Sequence, residues 1–199
     1  MSRSASLARN IIKLTNPHIL ALAVLLLIAY TQLNDPAVLF GLILVIFSFL
    51  VILPLGYVYL RILANGNRNK YIKDPTAYLR YHPKDIYILG IFSGLPCILV
   101  LLYLNSPPLL TVTLATLLAT SLIVALFNFF YRVSYHIAAI TILIIVIVLI
   151  WGQALFLLSV LLPITGWAKY RIREHNFIQL AVGFVVAVVV GFGMGYMVS

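Results

Sequence analysis

Seven apolar stretches separated by short polar segments dominate the sequence and decide which folds it can adopt. The stretches run from about Ile19 to Leu33, Ala37 to Leu63, Ile86 to Leu104, Leu109 to Phe130, Ile137 to Trp151, Ala154 to Trp167 and Phe177 to Val198. A helix needs about 20 mostly apolar residues to cross a bilayer, and a shorter stretch can cross where its polar flanks extend the helix or the bilayer thins. The pattern therefore predicts an all-α fold, a polytopic transmembrane helix bundle of six to seven spans.

The composition agrees with a membrane protein. The 199 residues are 64% hydrophobic and 9% charged, whereas a soluble domain carries about 25% charged residues. The polar stretches are too short to build a second core, so residues 17–199 are predicted to form one transmembrane domain. Residues 1–16 are a basic segment that either lies along the membrane interface or is disordered. In the last stretch, Gly183, Gly191 and Gly195 indicate close helix packing.

The charge distribution predicts the orientation in the membrane. The chain has thirteen Lys and Arg residues and four acidic residues, which gives a net charge of +9. Nucleic-acid binding is not expected, because the sequence contains no soluble basic module. With seven spans, all thirteen positive residues lie on the side of the N-terminus. By the positive-inside rule this side is cytoplasmic, and the expected location is the cell membrane of a prokaryote.

The longest polar loop, residues 64–85, contains the first candidate site residues. Asp74 followed by Pro75 is typical of a helix start, and it predicts a short helix that ends near His82, before Pro83. Lys73 and Arg80 lie at either end of this predicted helix.

Three further polar clusters fall on the same predicted side of the membrane. They are Arg132-Val133-Ser134-Tyr135-His136, then Lys169, and then His175 with Gln179. Ser134 and His136 lie where the fifth stretch begins, and His175 opens the seventh stretch with Gln179 one turn later. Because a helix N-terminus favours anions, both helix starts can face a phosphate group.

These clusters resemble the motifs of the type 2 phosphatidic acid phosphatase superfamily, over about residues 73–183. The superfamily has Lys-x6-Arg-Pro, then Pro-Ser-Gly-His, then Ser-Arg-x5-His-x3-Asp. Lys73 and Arg80 have the first spacing, with Tyr81 in place of the proline. Ser134 and His136 keep two residues of the second motif.

The second and third motifs also depart from the superfamily pattern. Arg132 stands where one branch of the superfamily, with Lys-x-Ser-x-His, has its lysine. In the third motif His175 is kept, but Ala168 replaces serine, Lys169 replaces arginine and Gln179 replaces aspartate. The order of the motifs and their shared side of the membrane support the resemblance, since two predicted spans separate each motif from the next.

The resemblance implies a phosphatase that works through a phosphohistidine. His175 would attack phosphorus, and His136 would protonate the leaving oxygen and later activate water. Gln179 would orient His175 without supplying the negative charge of an aspartate. Phosphate binding would fall to Lys73, Arg80, Arg132, Ser134 and Lys169.

No cofactor or metal is expected in this site. Asp74, Asp85 and Glu174 are the only acids on the predicted site face, which disfavours a two-metal phosphatase. The implied substrate is a membrane lipid phosphate or diphosphate, such as phosphatidate, a phosphatidylglycerol phosphate or a prenyl diphosphate. The pattern names neither the lipid nor the oligomeric state.

Other interpretations of the same residues stay open. Taken singly, the Lys and Arg residues are more often interfacial anchors, the histidines satisfied interfacial residues, and Ser134 a helix cap. The substitutions at Gln179 and Lys169 favour a non-catalytic lipid-phosphate binder or scaffold on the same fold, whereas the presence of both histidines favours an enzyme. A small transporter is the third possibility, with Pro54, Pro96 and Pro163 as its hints of broken helices.

Overall fold

The computed structural model describes residues 3–64 and 82–198, and all regular secondary structure in these ranges is helical. The α-helices are α1 (Arg3–Leu14), α2 (Pro17–Gln32), α3 (Pro36–Phe47), α4 (Leu53–Ala64), α5 (Pro83–Leu89), α6 (Leu95–Tyr103), α7 (Pro108–Phe127), α8 (Tyr135–Trp151), α9 (Leu161–Arg171) and α10 (Phe177–Val198). This confirms the all-α class. The predicted helix from Asp74 to His82 lies almost entirely outside the described residues, and Pro83 is the first residue of α5.

Four helical segments of the described chain are long and apolar enough to cross a membrane. They are Ser4–Gln32, Pro36–Ala64, Lys84–Tyr103 and Pro108–Phe127. Two further apolar helices, Tyr135–Trp151 and Phe177–Gly193, are shorter. The structure thus supports a membrane protein with four candidate spans, and the count of six to seven spans stays a prediction.

The sixth predicted stretch is not one continuous α-helix. Gly152 ends α8 with a φ of 102°, and residues Gln153–Val160 then form a 3₁₀-helix before α9 begins. Pro163 is the third residue of α9, where its missing N–H costs no hydrogen bond within the helix. In this stretch regular α-helix begins only at Leu161, so that Pro163 lies in the first turn of α9.

One compact unit comprises residues 28–114 and contains two π-helical segments. Ser48–Ile52 joins α3 to α4, and Gly90–Gly94 joins α5 to α6. Each precedes a proline, Pro54 or Pro96, and the two segments pack against each other. Pro54 has no N–H to give to the Phe49 carbonyl five residues earlier, and the Ser93 hydroxyl donates to that carbonyl. The prolines thus coincide with local departures from α-helix, as their positions suggested.

A buried carboxylate lies at the start of α5 in the same unit. The Asp85 side chain accepts from the Tyr57 hydroxyl at 2.9 Å and from Arg61 Nη2 at 3.2 Å, both on α4. Val58 and Ile62 lie in the same stretch of α4 and form a small core with Leu89. The ion pair and the apolar contacts together hold α5 on α4.

The other compact unit comprises residues 1–27 and 115–199. Within it α8 packs against α10, and α1 packs against α9. Gly183 makes the first of these contacts close, because a Cβ there would lie 2.7 Å from the Ser134 carbonyl oxygen. A Cβ at Gly191 would lie 2.6 Å from Cδ1 of Ile145. Close packing at both glycines is thereby confirmed.

Residues 3–14 of the basic N-terminal segment form helix α1. Asn16 and Pro17 explain where α1 stops and α2 begins. The Asn16 side chain accepts from the His18 N–H at 3.0 Å, and proline at the first position of a helix loses no intrahelical bond.

Candidate functional site

The start of α8 is tied to the start of α10 by a main-chain hydrogen bond. The Ser134 N–H donates to the Gln179 carbonyl at 3.1 Å. Ser134 is also the N-cap of α8: its hydroxyl accepts from the Ile137 N–H at 3.5 Å, and the residue is fully buried. The second and third predicted motifs therefore meet within this unit. In this structure Ser134 acts as a helix cap, and its role as a phosphate donor stays a prediction.

Gln179 fixes both the orientation and the tautomer of His175. Its side-chain oxygen accepts from the Asn176 N–H at 3.1 Å, and the Asn176 side chain accepts from the Gln179 N–H at 2.9 Å. This reciprocal pair is a capping box at the start of α10. Because an N–H can only donate, it is the amide oxygen of Gln179 that faces it. The same oxygen lies 3.1 Å from His175 Nδ1, so Nδ1 carries the hydrogen and the Nε2 of a neutral His175 has a free lone pair.

The surroundings of His175 favour this neutral form. Burial is the largest influence and lowers the pKa of His175 below its usual 6.5. The positive charges of Lys169 and Arg132 lower it as well, while the Gln179 hydrogen bond and the Glu174 carboxylate raise it. The net shift is downward, so His175 is mostly uncharged at pH 7, which is the form that a nucleophile requires.

Lys169 is buried and paired with a carboxylate that sequence reasoning gave no role in the site. Its Nζ donates to Glu174 Oε2 at 2.5 Å, and 5% of the residue is exposed. Both charges act electrostatically on His136 as well as on His175. The predicted phosphate-binding lysine is thus paired with a carboxylate, and its charge reaches both histidines.

The turn after α9 brings Glu174 back to Lys169. Arg173 has a φ of 58°, the Glu174 N–H donates to the Lys169 carbonyl at 3.1 Å, and the Arg173 N–H donates to the Tyr170 carbonyl at 3.0 Å. These are the two hydrogen bonds of a Schellman motif. Glycine usually occupies the left-handed position of that motif, so the arginine there concealed the turn in the sequence.

His136 is held by a residue far away in the sequence. Its Nε2 lies 3.4 Å from the Thr15 hydroxyl oxygen, and that hydroxyl also bonds the Ile11 carbonyl at 2.8 Å. Nothing in the local pattern around Thr15 singled it out, because the two residues are 121 positions apart.

The other predicted site residues are placed only in part. Arg132 is exposed in the loop before α8, and its charge acts on His175. Lys73 and Arg80 lie outside the described residues. The structure therefore brings together Arg132, Ser134, His136, Lys169, His175 and Gln179, with Thr15 and Glu174 added.

The described residues bring together groups of the kinds that phosphoryl transfer uses. They combine an oriented neutral imidazole, a second imidazole and two positive side chains. Across residues 3–64 and 82–198 there is no group of three or more His, Cys, Asp or Glu placed to hold a metal ion. Comparison with family models, curated proteins and solved structures finds no match to this chain.

Proposed function

We propose that this protein is a membrane phosphatase that hydrolyses a lipid phosphate or diphosphate through a phosphohistidine on His175. The observation that carries the proposal is the orientation of His175. The amide oxygen of Gln179 holds its Nδ1–H, and so leaves the Nε2 lone pair for attack. The nearby charges of Lys169 and Arg132 suit a phosphoryl group, whose transfer depends mainly on positioning and on charge stabilisation.

In the first step Nε2 of His175 forms a bond to phosphorus as the bond from phosphorus to the lipid oxygen breaks. The electron pair leaves on that oxygen, which takes a proton from His136. Hydrogen-bond donors and positive side chains near the three phosphoryl oxygens stabilise the charge that develops. The resemblance implies that Lys73, Arg80 and Ser134 contribute to this binding.

In the second step water attacks phosphorus while His136 takes its proton. The bond between phosphorus and Nε2 breaks, inorganic phosphate leaves, and His175 returns to its neutral form. Gln179 offers no negative charge to the imidazolium that forms in the first step, so catalysis should be slower than with an aspartate at this position.

A non-catalytic lipid-phosphate binder is the second candidate. The observation in its favour is the ion pair between Lys169 and Glu174, because a phosphate must compete with that carboxylate for the lysine. A binder would keep affinity for a lipid phosphate without releasing phosphate from it.

The test is phosphate release by the purified protein, in detergent, from a panel of lipid mono- and diphosphates. We expect release from at least one of them, and loss of release in His175→Asn. Asparagine keeps a donor near Gln179 but removes the nucleophilic nitrogen, so it serves as a matched variant. A ³²P-labelled substrate should leave acid-labile label on the wild-type protein. Affinity without release across the panel would favour the binder.

We also propose seven crossings, with the site on the cytoplasmic side. The support is the placement of all thirteen Lys and Arg on the side of the N-terminus. In a Cys97→Ser background, Arg173→Cys should react with a membrane-impermeant thiol reagent only after permeabilisation, and Asn105→Cys should react in intact cells. Both positions are exposed and have positive φ, at 58° and 50°, so the two variants are matched. The reverse labelling pattern would place the site outside.

A further inference from the structure

The junction between α1 and α2 has a buried hydroxyl at its centre. Thr15 is 7% exposed, and both its N–H and its side chain bond the Ile11 carbonyl, at 2.9 and 2.8 Å. Asn16 and Pro17 follow and start α2, so the position of Thr15 is fixed from both sides.

This junction docks on the first residues of α8 through two side-chain contacts. Thr15 contacts His136, and the His18 ring stacks on the Tyr135 ring with centroids 6.1 Å apart and an angle of 28° between planes. The Tyr135 hydroxyl is in turn 2.7 Å from the Ser121 hydroxyl on α7. The junction therefore contacts two adjacent residues of α8, Tyr135 and His136.

A second attachment holds α1 near the site. Arg171, the last residue of α9, donates to the Ser4 hydroxyl through Nε at 3.3 Å and through Nη2 at 3.0 Å. The same helix carries Lys169 two residues earlier. The N-terminal helix is therefore fastened at its start to the lysine-bearing helix, and just beyond its end to the helix that carries His136.

We propose that Thr15 is a positioning residue for His136, an inference that rests on the proposed function. The Thr15 hydroxyl has one hydrogen, which it gives to the Ile11 carbonyl at 2.8 Å. Its oxygen then accepts from Nε2–H of His136 across 3.4 Å. The hydroxyl contact favours the tautomer with hydrogen on Nε2 and limits rotation of the ring, to which the Thr15 main chain also hydrogen-bonds. It leaves Nδ1 as the nitrogen that can take a second proton.

The kinetic test uses Thr15→Val, which keeps the shape of the side chain and removes the hydroxyl. Since general acid–base catalysis contributes ~10²–10⁴-fold and the contact is long, we expect kcat to fall about tenfold with KM nearly unchanged. Thr15→Ser should restore most of kcat. In a His136→Gln background, Thr15→Val should have no further effect.

Thr141→Val is the matched control. Thr141 is also buried, and its hydroxyl bonds the carbonyl four residues earlier, that of Ile137, at 2.8 Å, as the Thr15 hydroxyl does with Ile11. This hydrogen bond does not involve His136, so kcat of the Thr141→Val control should match that of the wild type. An equal fall in both variants would attribute the effect to helix stability and overturn the proposal.

A spectroscopic readout separates this proposal from the proposed function. Nitrogen-15 NMR of labelled His136 should show hydrogen on Nε2 in the wild type and a shifted tautomer ratio in Thr15→Val, whether or not the protein releases phosphate. An unchanged tautomer ratio and unchanged kcat in Thr15→Val would refute the role of Thr15. If the wild type releases no phosphate but the tautomer ratio of His136 still shifts in Thr15→Val, the proposed phosphatase activity is refuted and the role of Thr15 is not.

Discussion

Glu174 is the residue whose replacement tests the site most directly. Its carboxylate pairs with Lys169 at 2.5 Å, and its negative charge acts on both His136 and His175. Glu174→Gln keeps the size of the side chain and removes the charge. Lys169 then loses a competitor for phosphate, so KM for a lipid phosphate should fall.

The size of this change follows from the burial of the pair. The Lys169 side chain is 6% exposed and the Glu174 side chain 26%, so water screens the carboxylate only in part. Exposed ion pairs contribute about 0–1 kcal/mol and buried ones several kcal/mol. For this partly buried pair we therefore expect the carboxylate to weaken phosphate binding by about 1–2 kcal/mol. Because every 1.4 kcal/mol is tenfold, KM should fall by about five- to thirty-fold.

The same substitution should change the pH dependence. Glu174 raises the pKa of His175, so its removal lowers that pKa further below 6.5. The neutral form of His175 is the active one, and the acid limb of the kcat/KM profile should therefore move to lower pH. Glu174→Asp, which keeps the charge, is the control and should leave this limb close to its wild-type position.

The assay is steady-state phosphate release between pH 4.5 and 8 for the wild type and both variants. A KM that rises in Glu174→Gln would show that the carboxylate holds Lys169 in its working position. That result would refute the view of Glu174 as a competitor of phosphate.

Three further predictions concern the same unit. Gln179→Asp should raise kcat, because a carboxylate stabilises the imidazolium that forms as His175 attacks; an unchanged rate in the folded variant would contradict this. The acid limb of the wild-type kcat/KM profile should rise through a pKa below 6.5, since burial lowers the pKa of His175; an acid limb centred above pH 6.5 would contradict this. Gly183→Ala should destabilise the protein by about 1–3 kcal/mol in detergent unfolding, because its Cβ would lie 2.7 Å from the Ser134 oxygen, whereas Gly193→Ala, with nothing within 4 Å, should not.

The apolar pattern predicted the helices well where a stretch was long and uninterrupted. Proline changed the outcome elsewhere, because a missing N–H is tolerated only at a helix start or where the register shifts. Pro163 thus limits α9, and Pro54 follows a π-helical segment. Hydropathy is averaged over many residues, so it does not show where a proline shifts the hydrogen-bond register of a helix.

The site was predictable where its contacts are local in sequence. Asn176 and Gln179 form a capping box whose spacing is visible in the sequence, and the same box orients His175. Glu174 could not be paired with Lys169 in advance, since the turn between them has arginine where glycine is usual. Thr15 reaches His136 only through the tertiary fold.

The hydrogen bond from the Ser134 N–H to the Gln179 carbonyl joins the two histidine-bearing segments through the main chain alone. Side-chain replacement at either end leaves this link intact, and only proline at position 134 would remove the donor. The separation of the two segments is thereby set in part by a contact that does not depend on the side chain of Ser134 or Gln179. A variant such as Gln179→Asp can therefore change the chemistry around His175 while this link between the two segments stays in place.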